Sequence, residues 1–175
     1  MNLTANQPVS ASIYVENSYN GGELSKDNLA IINSIPWSRW IQAWLNFSNL
    51  AVDFGKNCEV GLQLTDDTQI QQFNQQYRSI DYPTDVLAFV ATESEILLPS
   101  DITEPLYLGD IIISLDTANR QAQSQNHSLV VELAWLTSHG LLHILGWDHP
   151  NDERLQEMLQ KQSELVDFVK IQQSG

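Results

Sequence analysis

At 175 residues the chain has the length of one domain, enough to bury about 70% of its unfolded surface. Hydrophobic residues make up 42% of it, yet no stretch nears the roughly 20 apolar residues that span a bilayer, and residues 1–6 lack the basic and apolar regions of a signal peptide. Eight basic residues face 22 acidic ones, a formal net charge of −14 without the basic footprint of a nucleic-acid binder, and the single cysteine, Cys58, excludes an intrachain disulfide and a thiolate metal cluster. These features predict a cytoplasmic protein with no membrane partner.

Residues 1–11 and 171–175 read as loose termini. Ser12, Ile13, Tyr14 and Val15 predict a short first strand, followed by a polar loop through Asn20, Gly21 and Gly22. Ile35, Pro36 and Trp37 open a helix with proline in its first turn. Trp37, Trp40, Ile41, Trp44 and Phe47 then recur at helical spacing, which marks a core-facing stripe. Cys58, Val60, Leu62 and Leu64 alternate with polar residues, the signature of a half-buried strand. Asp66 and Asp67 can cap a helix running to about Tyr77.

Ile80, Asp81, Tyr82 and Pro83 form a turn, and residues 84–90 a strand. Residues 91–105 read as a loop with acidic residues and two prolines. Residues 108–114 carry an apolar run that predicts a buried strand, after which Asp116 can cap a helix to about Gln123. A long helix runs from Ser128 to about Leu145, and Asn151 and Asp152 start the last one, with Leu155, Met158, Leu159, Leu165 and Val169 on its apolar side. The sum is an α/β (α+β) fold, a small mixed sheet of about four strands packed with about five helices, in one domain over 1–175.

Three of the four histidines, His139, His143 and His149, fall within eleven residues. A spacing of four places His139 and His143 on one helix face. Gly146 lets the chain leave the helix through a left-handed residue, so that His149 can swing back toward the pair. Three converging imidazoles are the ligand set of a catalytic Zn²⁺ site with an open fourth position. The residues between them, Leu141, Leu142, Ile144 and Leu145, suggest a buried helix, where unpaired imidazoles would be costly and a metal offsets that cost. His127, in a polar run, reads instead as a surface or hydrogen-bonded histidine.

Glu132 lies seven residues before His139 on the same face, where it either orients a ligand imidazole or is an ordinary helix glutamate. Asp148, next to His149, either supports that ligand or caps the turn. Between Lys56 and Arg120 the only basic residue is Arg78. It can fork onto a phosphate, or pair with Asp81 or Asp85.

The pattern His-x-x-x-His-x-x-Gly-x-x-His resembles the zinc site of the metzincin metalloproteases, which place a glutamate base directly after the first histidine. Here that position is Gly140, so a peptide hydrolase reading has ligands without a base. A structural metal in a ribosome-associated binding module is a further alternative, but structural zinc sites close with four ligands, often thiolates.

The full stretch from His139 to His149 (HGLLHILGWDH) resembles the HGxLHLxGYDH signature of the YbeY family of endoribonucleases. Residues 74–89, with Asn74, Tyr77, Arg78, Asp81, Pro83, Thr84, Asp85 and Phe89, are similar to that family's N-x-x-Y-R-x-x-D-x-P-T-D-V-L-S-F block. Residues 108–114 are similar to its LGDIxIS strand. The blocks keep the family's order over about residues 57–160, while the N-terminal third matches weakly. Trp147 stands where tyrosine is usual, Ile144 for leucine and Ala88 for serine, and none of these removes a ligand.

This resemblance implies a zincin-like metal helix and a zinc-dependent, single-strand-specific endoribonuclease of the cytoplasm. It would act on ribosomal RNA precursors, at the 3′ end of 16S RNA, and in ribosome quality control. It implies His139, His143 and His149 as ligands of one Zn²⁺ ion and Arg78 as a functional arginine. RNA, not DNA, is the expected partner. The charge of −14 suggests that a ribosomal subunit or ribosome-associated protein delivers it.

Overall fold

In the computed structural model, residues 8–47, 50, 57–91 and 104–173 are described. Four strands form one sheet in the order β1-β2-β4-β3. They are β1 (Ser10–Asn17), β2 (Asn57–Thr65), β3 (Val86–Val90) and β4 (Leu106–Ser114). β1, β2 and β4 run parallel, and β3 is antiparallel to β4. Among the described residues there are six helices: α1 (Lys26–Ser34), α2 (Trp37–Asn46), α3 (Asp67–Arg78), α4 (Leu115–Ser124), α5 (Leu129–Ile144) and α6 (Asp152–Gln173).

The alternation along β2 sorts its side chains between the two faces of the sheet. Cys58, Val60, Leu62 and Leu64 are buried, in a core completed by Trp40 and Trp44 of α2, Leu133, Leu141 and Leu142 of α5, and Leu165 and Val169 of α6. Trp44 is fully buried and its Nε1–H donates to the Leu165 carbonyl at 2.8 Å, so the stripe on α2 also ties down the last helix. On the opposite face a smaller cluster of Ile70, Leu87 and Ile112, with Phe73 and Phe89, seats α3. Burial pushes the Cys58 thiol up to about 11, so it behaves as a small core hydrophobe.

Several expectations are corrected. The first strand begins before residue 12 because side chains of α2 hold it. Gln42 and Asn46 accept from the backbone N–H groups of Ala11 (2.7 Å) and Val9 (2.8 Å), and both donate to the Val9 carbonyl. At the other end α6 continues to Gln173, so that much of the expected loose terminus is helical. Residues 1–7 and 174–175, and most of the expected loop at 91–105, lie outside the described residues.

The helix beyond the expected five is α1, capped by Ser25, whose hydroxyl accepts from the Asn28 N–H at 3.1 Å. The cap of α4 is Ser114, not Asp116. Asp116 lies buried in the first turn, accepting from Tyr19 Oη at 2.7 Å and from the Asp67 N–H at 3.2 Å. Asp66 caps α3 as expected, accepting from the Gln69 N–H at 2.9 Å.

Candidate metal centre

The centre is built on α5. Ser128 caps its start, accepting from the Val131 N–H at 3.3 Å. The helix lies hard against β4 because Gly140 has no side chain: a Cβ there would stand 2.6 Å from Ile111 Cγ2. Position 140 therefore faces the sheet. This is the position of the metzincin glutamate, so a carboxylate there would have to displace the core before reaching the histidines. At the far end Gly146 adopts φ +89°, and its N–H bonds the His143 carbonyl while that of Trp147 bonds Leu142. The reversal brings His149 back over the helix.

The three histidines converge. One ligand nitrogen from each lies within 4.8 Å of the other two. The ring centroids are 4.5 Å apart for His139 and His143, 5.5 Å for His143 and His149, and 6.3 Å for His139 and His149. His139 and His143 are half-buried and His149 is exposed, so the cluster opens to solvent on one side. Beside it lies a cleft of about 410 Å³ lined by Leu145, Gly146, Trp147, Asp148, Pro150 and Arg154.

The hydrogen bonding tests whether a cation fits. His139 Nδ1 lies 3.3 Å from Gln162 Oε1, and His143 makes a hydrogen bond to the Trp147 backbone. Their Nε2 atoms are left facing each other at 3.0 Å. Two neutral imidazoles held in this way point lone pairs at one another. That arrangement is repulsive unless a proton or a metal ion takes them up, and the donor set suits zinc.

Burial is the main influence holding both imidazoles below the usual histidine range. For His139 the Gln162 hydrogen bond and the charge of Asp85 oppose it, and His149 reinforces it. For His143 the neighbouring His139 and His149 reinforce it, while Trp147 and Asp148 oppose it. Both rings are thus kept neutral, the form that binds metal.

The remaining sequence candidates are placed differently. Glu132, almost fully buried, is paired with His127, so its carboxylate serves the start of α5 and not the cluster. Asp148 Oδ1 accepts from the His149 backbone N–H at 2.8 Å, fixing the turn that carries the ligand. Arg78 ends α3 and is exposed, with no ion pair among the described residues. The two aspartates that could have neutralised it are engaged by amides: Asp81 by Gln71 at 3.0 Å and Asp85 by Gln121 at 3.1 Å. Sequence reasoning offered Asp85 as a partner for Arg78 but not its charge as felt by His139, and it missed Gln162. Gln162 had a signal: it occupies a core position in the apolar stripe Leu155, Met158, Leu159, Leu165, Val169 of α6.

Fold and site together define a mixed α/β protein with a three-histidine cluster able to hold a metal ion. The chain belongs to the family described as Endoribonuclease YbeY, which matches residues 24–170. It is 52% identical over 141 residues to the Endoribonuclease YbeY of Trichormus variabilis, covering 80% of each chain. It is 49% identical over 166 residues to that of a Picosynechococcus species, covering 94% of this chain and 98% of the relative. The fold is similar to the solution structure of TM1509 from Thermotoga maritima, with a TM-score of 0.52 and 24% identity, covering 89% of this chain and 87% of that one.

Proposed function

We propose that the chain, as one domain over 1–175, is a zinc-dependent, single-strand-specific endoribonuclease that processes ribosomal RNA at the 3′ end of 16S RNA and acts in ribosome quality control in the cytoplasm. The reading rests on the convergence of His139, His143 and His149 in a chain of the YbeY family. Among the described residues no fourth Cys, His, Asp or Glu joins the three, which favours an open site over a closed structural one. When bound, zinc supplies Lewis acidity toward a phosphate oxygen and lowers the pKa of water.

The chain's own residues do the rest. The three imidazoles would hold the ion, and the solvent-open side of the cluster gives substrate a way in. Arg78, free of carboxylate partners among the described residues, offers five donors in a planar fork that matches a phosphate and stabilises the charge that builds on it. Asp148 keeps His149 in place. A ribosomal subunit or ribosome-associated protein supplies the cationic surface that a chain of charge −14 lacks.

Peptide hydrolysis is disfavoured by Gly140, which faces Ile111 where a base would be needed. The test is incubation of zinc-loaded protein with ribosomal RNA and, separately, with casein, each with and without chelator. Chelator-sensitive cuts in RNA alone support the proposal, and proteolysis alone overturns it.

A further inference from the structure

We infer that Gln162 is the residue that positions His139, by fixing which of its ring nitrogens faces the metal centre. The inference rests on the metal reading above. Gln162 is fully buried on α6, 23 residues from His139 in sequence, and both ends of its amide are used. One end meets the Trp135 carbonyl at 3.0 Å. A carbonyl only accepts, so this end is the NH₂ group. The end facing His139 Nδ1, at 3.3 Å, is therefore the oxygen.

An amide oxygen also only accepts, so Nδ1 carries the ring hydrogen and the Nε2 lone pair is turned toward His143. The orientation cannot be inverted without setting two acceptors, and two donors, against each other at an amide that is itself fully buried. The sequence thus uses a neutral amide where a carboxylate often orients a ligand histidine, and adds no charge to a centre that Asp85 already influences. Met158 and Leu165 flank Gln162 in the core, so its backbone is as rigid as the helix that carries it.

The test uses the full chain, wild type against Gln162→Met and Gln162→Glu, with zinc alone as the probe. Zinc affinity is read by competition with a chromophoric chelator, and the His139 tautomer by ¹⁵N–¹H correlation in metal-free protein. Wild type is expected to show the Nδ1–H form. Gln162→Met should bind zinc about 10- to 100-fold more weakly and lose the single tautomer, whereas Gln162→Glu, which keeps an acceptor, should restore both. An Nε2–H tautomer in wild type overturns the inference, as does a folded Gln162→Met with wild-type affinity and tautomer. Should Gln162→Met fail to fold, the wild-type tautomer and the Gln162→Glu affinity still decide it. A wild-type chain that takes up no zinc overturns the metal reading instead, and the tautomer separates the two failures.

Discussion

The Nε2 atoms of His139 and His143 face each other at 3.0 Å, one helical turn apart, while the rest of each ring is held from behind. Removing one member takes away a ligand and leaves the other with no nitrogen facing it across the gap. His143→Ala is expected to reduce bound zinc from one ion per chain to none, by elemental analysis of the purified protein. The metal-dependent part of stability should go with it, about 2.7 kcal/mol at a zinc concentration 100 times the wild-type Kd. A variant that still holds one zinc per chain would show that the ligands lie elsewhere.

The same pair sets a pH dependence. His139 and His143 are both lowered from the ordinary 6.5, chiefly by burial. Below 6.5 the unfolded chain takes up protons that the folded chain refuses. The pair's contribution to metal-free stability should therefore be full well above pH 6.5, decline as pH falls through that value, and level off once the folded imidazoles are themselves protonated. Urea midpoints at pH 7.5 and 5.5 measure the decline, and the His139→Gln, His143→Gln double variant should lose most of it. An unchanged slope in that variant would assign the effect to other groups.

Gly140→Ala tests the close approach of α5 to β4. Alanine favours the helix by about 1 kcal/mol. Against this, its Cβ would stand 2.6 Å from Ile111 Cγ2 in a fully buried layer, an overpacking worth about 1–3 kcal/mol. The net expectation is a loss of about 1 kcal/mol, seen as a lower melting temperature. A higher one would mean that the layer yields easily and that position 140 is open to larger side chains.

Arg78→Lys keeps the charge and loses the fork. Among the described residues no carboxylate pairs with the guanidinium, so stability and zinc content should be unchanged while RNA cleavage falls about 10- to 100-fold. Equal cleavage by the variant would remove Arg78 from the reaction.

What was legible in the chain followed local rules. The alternation of Cys58, Val60, Leu62 and Leu64 announced β2, the tryptophan stripe announced α2, and the spacing of the three histidines announced their convergence. What was not legible depends on partners distant in sequence. In α1, Leu29, Ile31 and Ile32 sit among Asp27, Asn28, Asn33 and Ser34, too weak a pattern without noticing the Ser25 cap. Glu132 shares a face with His139 by periodicity, yet a neighbouring loop presents His127 to it first. Gln162 meets His139 only because α6 packs on α5, an approach that no local pattern in either helix encodes.

The amides of Gln42 and Asn46 have a consequence for how copies of this protein behave together. A sheet margin with a vacant row of N–H and C=O groups is a template onto which another molecule can add a strand. At Val9 and Ala11 that row is already answered from within the chain, by side chains that imitate a neighbouring strand. The start of the sheet is thereby closed to fibre-like stacking. The safeguard is built from polar atoms of α2 and would survive at salt concentrations where mutual repulsion between highly acidic chains is screened away.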